Sequence, residues 1–178
     1  MRSPDAGRGK IDRSADAVIS PSQACMTESA TAALKELNCL VEKHNGQVVS
    51  VTCSQISDDH LRHLITCDTL SNLDLQHSRI TDVGLVHIGR IRSLKRLHLG
   101  HTAVTGPGLR YISSLQNLEA LDLTGTGVLI EEAAPHLALL SNLRWLDLRL
   151  TPKTEASRAA IDLLRRRLPD LRFHPLGV

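Results

Sequence analysis

"SRITDVGLVHIGRIRSLKRLHLGHTAVTGPGLRYISSLQNLEALDLTGT" (residues 78–126) carries one pattern twice. Leu97/Leu99 and Leu121/Leu123 are leucine pairs split by one residue, and each follows a third leucine three positions upstream, Leu94 and Leu118. Working outward, similar pairs recur at Val49/Val51, Leu73/Leu75, Leu146/Leu148 and Leu171/Phe173, so that first members lie 24, 24, 24, 25 and 25 residues apart. Leu70, Leu143 and Leu168 complete the upstream set. A hydroxyl residue follows five of the pairs (Ser54, Ser78, Thr102, Thr126, Thr151), with a β-branched residue two positions on in four of them (Ile56, Ile80, Val104, Val128). Ser57, Thr81 and Thr105 then stand where a helix would be capped, and Asp58 and Asp82 suit its positive end. Apolar residues at three-residue spacing close the units: Leu61, Leu64, Cys67; Leu85, Ile88, Ile91; Leu109, Ile112, Leu115.

Two periods alternate within each unit. The LxL half suits a short strand with one face buried, and the three-residue spacing suits a helix or 3₁₀ segment burying one stripe. Neither half can bury its face alone, so each unit needs a neighbour above and below. The expected fold is α/β: a right-handed leucine-rich-repeat solenoid, with short parallel strands on the concave face, helices on the convex face and a helical N-terminal cap.

Residues 78–126 resemble the 24-residue T-x-I-T-D-x-G-L leucine-rich repeats of large bacterial families, abundant in planctomycete-type proteins. They are more distantly similar to the repeats of F-box adaptor proteins. The resemblance covers about residues 46–173 and implies a scaffold that binds other macromolecules. Nothing F-box-like stands before the array, so it does not imply a ubiquitin-adaptor role.

The expected organisation is a flexible tail over 1–26 and a single repeat domain over 27–178, made of a capping helix (27–45), five repeats (46–167) and a C-terminal strand cap (168–178). In the capping segment Ala33, Leu34, Leu37, Leu40 and Val41 make one apolar stripe, Thr27 can cap its start, and Asn45-Gly46 ends it. Two units depart from the pattern. The fourth has one extra residue in "GVLIEEAAPHLALL", with Ala134 in place of leucine and Pro135 suggesting a late helix start. The fifth has Pro152-Lys153 where a β-branched residue belongs, which reads as a loosened end of the array or a shaped binding edge, the former favoured. Arg165, Arg166 and Arg167 suit the last turn of a closing helix.

The composition is permissive. Of 178 residues, 42 % are hydrophobic but only 2 % aromatic, so the core must be aliphatic; 21 basic against 19 acidic residues leave no strong field directed at nucleic acid or membrane. The cysteines at 25, 39, 53 and 67 show no zinc-ligand spacing, and are read as reduced thiols of a cytoplasmic protein. The first 26 residues lack the apolar run of a secretory signal. P-loop, GxSxG, HExxH and dinucleotide-turn motifs are absent.

Function must therefore come from the exposed sheet face. Alternation places there a middle row of Ser50, Asp74, His98, Asp122, Asp147 and Arg172, preceded by Val48, Asn72, Arg96, Ala120, Trp145 and Asp170. "LRWLDLRLT" (143–151) holds the chain's only tryptophan, Trp145, at one of these outward positions. Tryptophan and arginine are enriched in binding hot spots, although Trp145 could instead cover the last repeat. The expected role is a non-catalytic, monomeric module that binds a protein or peptide through Trp145, Arg149, Asp147, Asp122, His98, Arg96 and Asp74, without cofactor, metal, nucleic acid or membrane. The alternatives are a metal-dependent hydrolase centred on His98, with His77 and His101 nearby, and a structural spacer.

Overall fold

A leucine on a three-residue strand is buried only with help from the strands beside it and the helical return behind it, and that requirement organises the chain. The computed structural model describes residue 32 and residues 34–174. Among these residues seven strands form one sheet in chain order: β1 (Leu40–His44), β2 (Gln47–Thr52), β3 (Asn72–Asp74), β4 (Arg96–His98), β5 (Ala120–Asp122), β6 (Trp145–Asp147) and β7 (Arg172–Phe173). β1 pairs with β2 antiparallel, and every later pairing is parallel. Between strands the chain returns through helical segments at Asp58–His63, Asp82–Ile88, Pro107–Tyr111, Ile130–Leu137 and Ser157–Arg167, of which the first and third are 3₁₀. The array of short strands alternating with helical returns, read as an α/β repeat fold, is present.

Leu73, Leu97, Leu121 and Leu146 stand in register across β3 to β6 and are wholly buried, as are Leu75, Leu99 and Leu123 just beyond the strands. They join Leu61, Leu85, Leu109 and Leu137 from the helical returns in one continuous core. Polar groups lock the same stack. The hydroxyls of Ser78, Thr102, Thr126 and Thr151 donate to the carbonyls of Leu75, Leu99, Leu123 and Leu148 at 2.6–2.8 Å, turning the chain after each strand. Ser54 is exposed and stands outside this series.

The acids after the cap positions work across units as well as at a helix end. Asp58 accepts from the backbone N–H and hydroxyl of Thr81 at 2.9 and 2.6 Å, and Asp82 accepts from the same groups of Thr105 at 2.8 and 2.6 Å. Thr105 is thus a clamp partner, and Gly106 takes the cap position. Asn117 and Asn142 add further ties through their side-chain N–H groups, which donate to the carbonyls of Arg92 and Gln116 in the preceding units.

Both ends differ from expectation. Residues 40–44 are strand, not the second half of a capping helix; Leu40 is 70 % exposed. Asn45 and Gly46 have φ of 50° and 79° and make the tight turn between His44 and Gln47. Asn-Gly favours this two-residue hairpin because both residues tolerate the left-handed region. Helical residues of the expected cap remain at 34–36, while Thr27, Ala33 and the 1–26 tail lie outside the described residues. The hairpin also resets the register: Val51 pairs with Leu73, two residues later than the repeat spacing suggested. At the far end Phe173, not Leu171, pairs with Leu146, because the longer closing helix delays β7.

Cys39 and Cys53 are joined by a disulfide, with Cα atoms 4.5 Å apart, which corrects their reading as thiols. They are adjacent because Leu40 pairs with Thr52, so the flanking residues on the two strands meet next. Cys67 is buried in the helical stripe, and Cys25 lies outside the described residues. Pro135 also proves misleading: the fourth unit's helix starts at Ile130, five residues before it, with Ala134 only 1 % exposed against its neighbours. Among the described residues no helix is long and apolar enough to cross a membrane.

Leu97→Ala should destabilise the fold by about 2–5 kcal/mol, measured by denaturant unfolding, because its neighbours are held in register and cannot collapse into the cavity. Reducing the Cys39–Cys53 bond, which spans 14 residues of sequence, should cost about 3 kcal/mol. An unfolding midpoint unmoved by dithiothreitol would mean that the two sulfurs are not paired in solution.

Candidate functional site

The open face of the sheet carries the residues without a place in the core. Strand pairing sorts them into two rows that differ at both ends from the alternation read in sequence. One is Ser50, Asn72, Arg96, Ala120, Trp145 and Arg172; the other is Thr52, Asp74, His98, Asp122 and Asp147. Row neighbours are roughly 4.8 Å apart, the spacing of hydrogen-bonded strands. Arg172 therefore stands beside Trp145 and not beside Asp147, which brings an arginine against the tryptophan that sequence spacing had placed elsewhere.

Trp145 is 40 % exposed and sits between Ala120 and Arg172. Its ring meets that of His174 edge to face, with centroids 6.1 Å apart. The ring is thus partly exposed, with the small Ala120 as its neighbour on one strand and Arg172 on the other. Arg96 and Arg172 are exposed on the same row.

The aspartates of the second row are partly spent on their own turns. Asp74, Asp122 and Asp147 each accept the backbone N–H two residues on, from Gln76, Thr124 and Arg149, at 2.8–3.1 Å. Such Asx turns bend the chain out of the strand. Asp147 is buried and grips Arg149 through both oxygens, with Nε at 3.0–3.1 Å and one guanidinium nitrogen at 2.8 Å. Its carboxylate is committed inside the chain, whereas part of the Arg149 guanidinium remains exposed.

Asp122 is the centre of a small polar network. Its carboxylate accepts from the Gln76 side chain at 3.0 Å and the Thr124 hydroxyl at 2.6 Å, and faces His98 Nδ1 at 3.8 Å. Burial opposes ionisation of Asp122, but His98 and the Thr124 donors outweigh it and hold the carboxyl down at about 2. His98 is pushed above its ordinary 6.5, first by Asp122 and then, against the cost of burial, by Asp74. Arg96 opposes the shift without reversing it.

Beyond the strands, His77, His101, Gly125 and Leu150 occupy the same position in successive units, all with φ between 57° and 63°. The His77 and His101 rings stack at 4.6 Å and 6°. Gly125 is required next to them: a Cβ there would lie 2.5 Å from the His101 ring. Leu150 ends the series 76 % exposed in a conformation that leucine disfavours. A hollow of about 570 Å³ opens between His77, His101, Asp122, Thr124, Arg149 and Leu150. Sequence alternation located this rim but gave no sign that the rings stack or that a hollow lies beside them.

Of the residues expected to meet a partner, Trp145, Arg96, His98 and Arg149 are at least partly exposed, and Asp74 and Asp122 are half-buried in turn and network contacts. Among the described residues no group of three or more His, Cys, Asp or Glu could hold a metal ion.

No family model and no curated protein matches the chain. Among solved structures it is similar to a leucine-rich-repeat protein of Leptospira interrogans, at 23 % identity and a TM-score of 0.50 over 64 % of this chain and 27 % of that one. It is also similar to internalin C2 of Listeria monocytogenes, at 20 % identity and a TM-score of 0.54 over 86 % of this chain and 66 % of that one. The chain thus spans less than two thirds of either protein. At this identity the likeness establishes the fold, and the fold is that of the leucine-rich repeats.

Asp122→Asn should bring the His98 midpoint down toward or below 6.5, read from its imidazole NMR signals. The signs give the pH window for stability. The lowered Asp122 pKa stabilises the fold above the unfolded value of 3.8, and the gain is lost as pH falls toward 2. The raised His98 pKa stabilises below 6.5, and that gain is lost as pH rises through the folded value. The contribution of the pair should peak between about 4 and 6.5 and vanish from the pH profile of Asp122→Asn.

Proposed function

We propose that the chain is a non-catalytic interaction module that binds a protein or peptide on the open, concave face of its sheet. The observation that carries this reading is the row Arg96–Ala120–Trp145–Arg172: an exposed indole beside Arg172 on one strand and the small Ala120 on the other, with exposed Arg96 one strand further. Aromatic and arginine anchors supply most of the binding energy in protein interfaces. Arg149, His98 and Leu150 extend the contact toward the stacked histidines. Asp74 and Asp122 give it acidic ground, and Asp147 acts by orienting Arg149. Mixed charge of this kind favours selectivity over raw affinity.

Catalysis at His98 has less support. Its imidazole faces the Asp122 carboxylate on an open sheet that offers no enclosure to exclude water, and among the described residues no metal ligand set surrounds it. The spacer reading leaves the exposed Trp145 and the left-handed Leu150 without a reason. The 24-residue spacing supports the bacterial repeat class, and a protein partner without nucleic acid or membrane is the matching expectation. The Cys39–Cys53 disulfide counts against a cytoplasmic location, since such bonds persist in oxidising compartments.

The test is retention of partners from source lysate by the folded wild type beside Trp145→Ala/Arg149→Glu. Loss of a specific protein from the variant, with affinity reduced about 30-fold or more, is the expected result. Equal retention by both would remove the site from this face.

A further inference from the structure

A groove lies at the end of the array, lined by none of the open-face row residues. Ile56, Ile80, Val104 and Val128 form a fully buried column, one residue per unit. The fifth unit puts exposed Pro152 and Lys153 where the next member belongs, so the column stops at Val128. The extra residue of the fourth unit places Ile130 at the position held by Asp82 and Gly106 in earlier units, and the acid clamp moves to Glu131. Glu131 accepts from the Thr154 hydroxyl at 2.6 Å and the Ser157 hydroxyl at 3.4 Å, which fixes the loop and the start of the closing helix, Ser157–Arg167, against the fourth unit. A groove of about 620 Å³ is left between loop and helix, within the range of ligand sites.

The chemistry of the groove narrows its occupant. Its floor is aliphatic: Ile130, Leu148 and Ile161. The hydroxyls along it are already used, Thr151 on the Leu148 carbonyl and Thr154 and Ser157 on Glu131. Its charged lining is Lys153, Arg158 and Arg165 against one acid, Asp162. Arg165 is shared, 3.8 Å from Asp162 and 5.7 Å above the Phe173 ring, whereas Lys153 and Arg158 are exposed with no ion pair among the described residues. Arg158 and Arg165 are seven residues apart on one helix face, about 10 Å along the axis. That separation is close to the roughly 9 Å between side chains three residues apart on one face of a peptide in polyproline II conformation.

We propose that this groove binds a short acidic peptide segment of a protein partner, with one aliphatic side chain on the Ile130–Leu148–Ile161 floor and flanking carboxylates on Lys153, Arg158 and Arg165. Three spread cations suit two separated carboxylates better than the single head of a fatty acid. The site is independent of the open sheet and survives if the concave-face reading fails.

The experiment is titration of ¹⁵N-labelled protein with acetyl-Glu-Leu-Ala-Glu-amide, followed by backbone amide shifts. Saturable shifts confined to Thr151, Thr154, Ser157, Ile161 and their neighbours are expected. Lys153→Glu/Arg158→Glu should weaken binding roughly three- to tenfold, Arg158→Lys should retain it, and Trp145→Ala should leave it unchanged. Acetyl-Glu-Ser-Ala-Glu-amide and acetyl-Lys-Leu-Ala-Lys-amide should both bind more weakly. Equal binding of the basic peptide, shifts centred on Trp145, or indifference to the double charge reversal in a protein that melts normally would overturn the proposal. So would tighter saturation by decanoate than by the peptide, which would make the groove a lipid site.

Discussion

Each inner strand of this protein is three residues long and buries one leucine at its centre, so a unit alone has almost nothing to hold it together. Its leucine becomes buried only when the strands on either side present theirs at the same height. Register is thus the constraint on which everything else depends. A slip of one residue would send Leu97 to solvent and Arg96 or His98 into the core. The hydroxyl–carbonyl turns, the Asp58–Thr81 and Asp82–Thr105 clamps and the asparagine ties all act to hold that register, and they do so from opposite ends of each strand.

A stack of this kind is complete everywhere except at its ends. At the start, an antiparallel hairpin and the Cys39–Cys53 bond replace the missing neighbour with a paired strand. At the finish, the closing helix packs on the fourth unit's helix and the two-residue β7 pairs beside Leu146, but the β-branched column has no successor and leaves a groove. The two ends differ because one is sealed by backbone pairing, which leaves little space, and the other by a helix, whose fit depends on the side chains beneath it.

The open face shows how a repeat scaffold divides its polar residues. Aspartates that look like a binding row are needed first to turn the chain after each strand, and Asp147 is wholly taken up by that task and by Arg149. What remains exposed is Trp145, Arg96, Arg172, the outer part of Arg149, and the rim of left-handed residues ending in Leu150. Ionisation within the face is coupled, since the same contact that lowers Asp122 raises His98.

The sequence by itself determined the repeat, its period, the buried leucines and the outward direction of Trp145, because all of these follow from spacing along the chain and the two-residue alternation of a strand. Tertiary structure decided the rest. Whether Asn45-Gly46 ends a helix or turns a hairpin depends on β2 having a free edge to pair with. Which cysteines meet depends on the register of that hairpin. That Arg172 flanks Trp145 depends on the length of a helix between them, and the groove exists because one column of side chains runs out. Contacts between residues more than 20 positions apart leave no local pattern, so the residues that complete the sites became legible only when the strands were laid side by side.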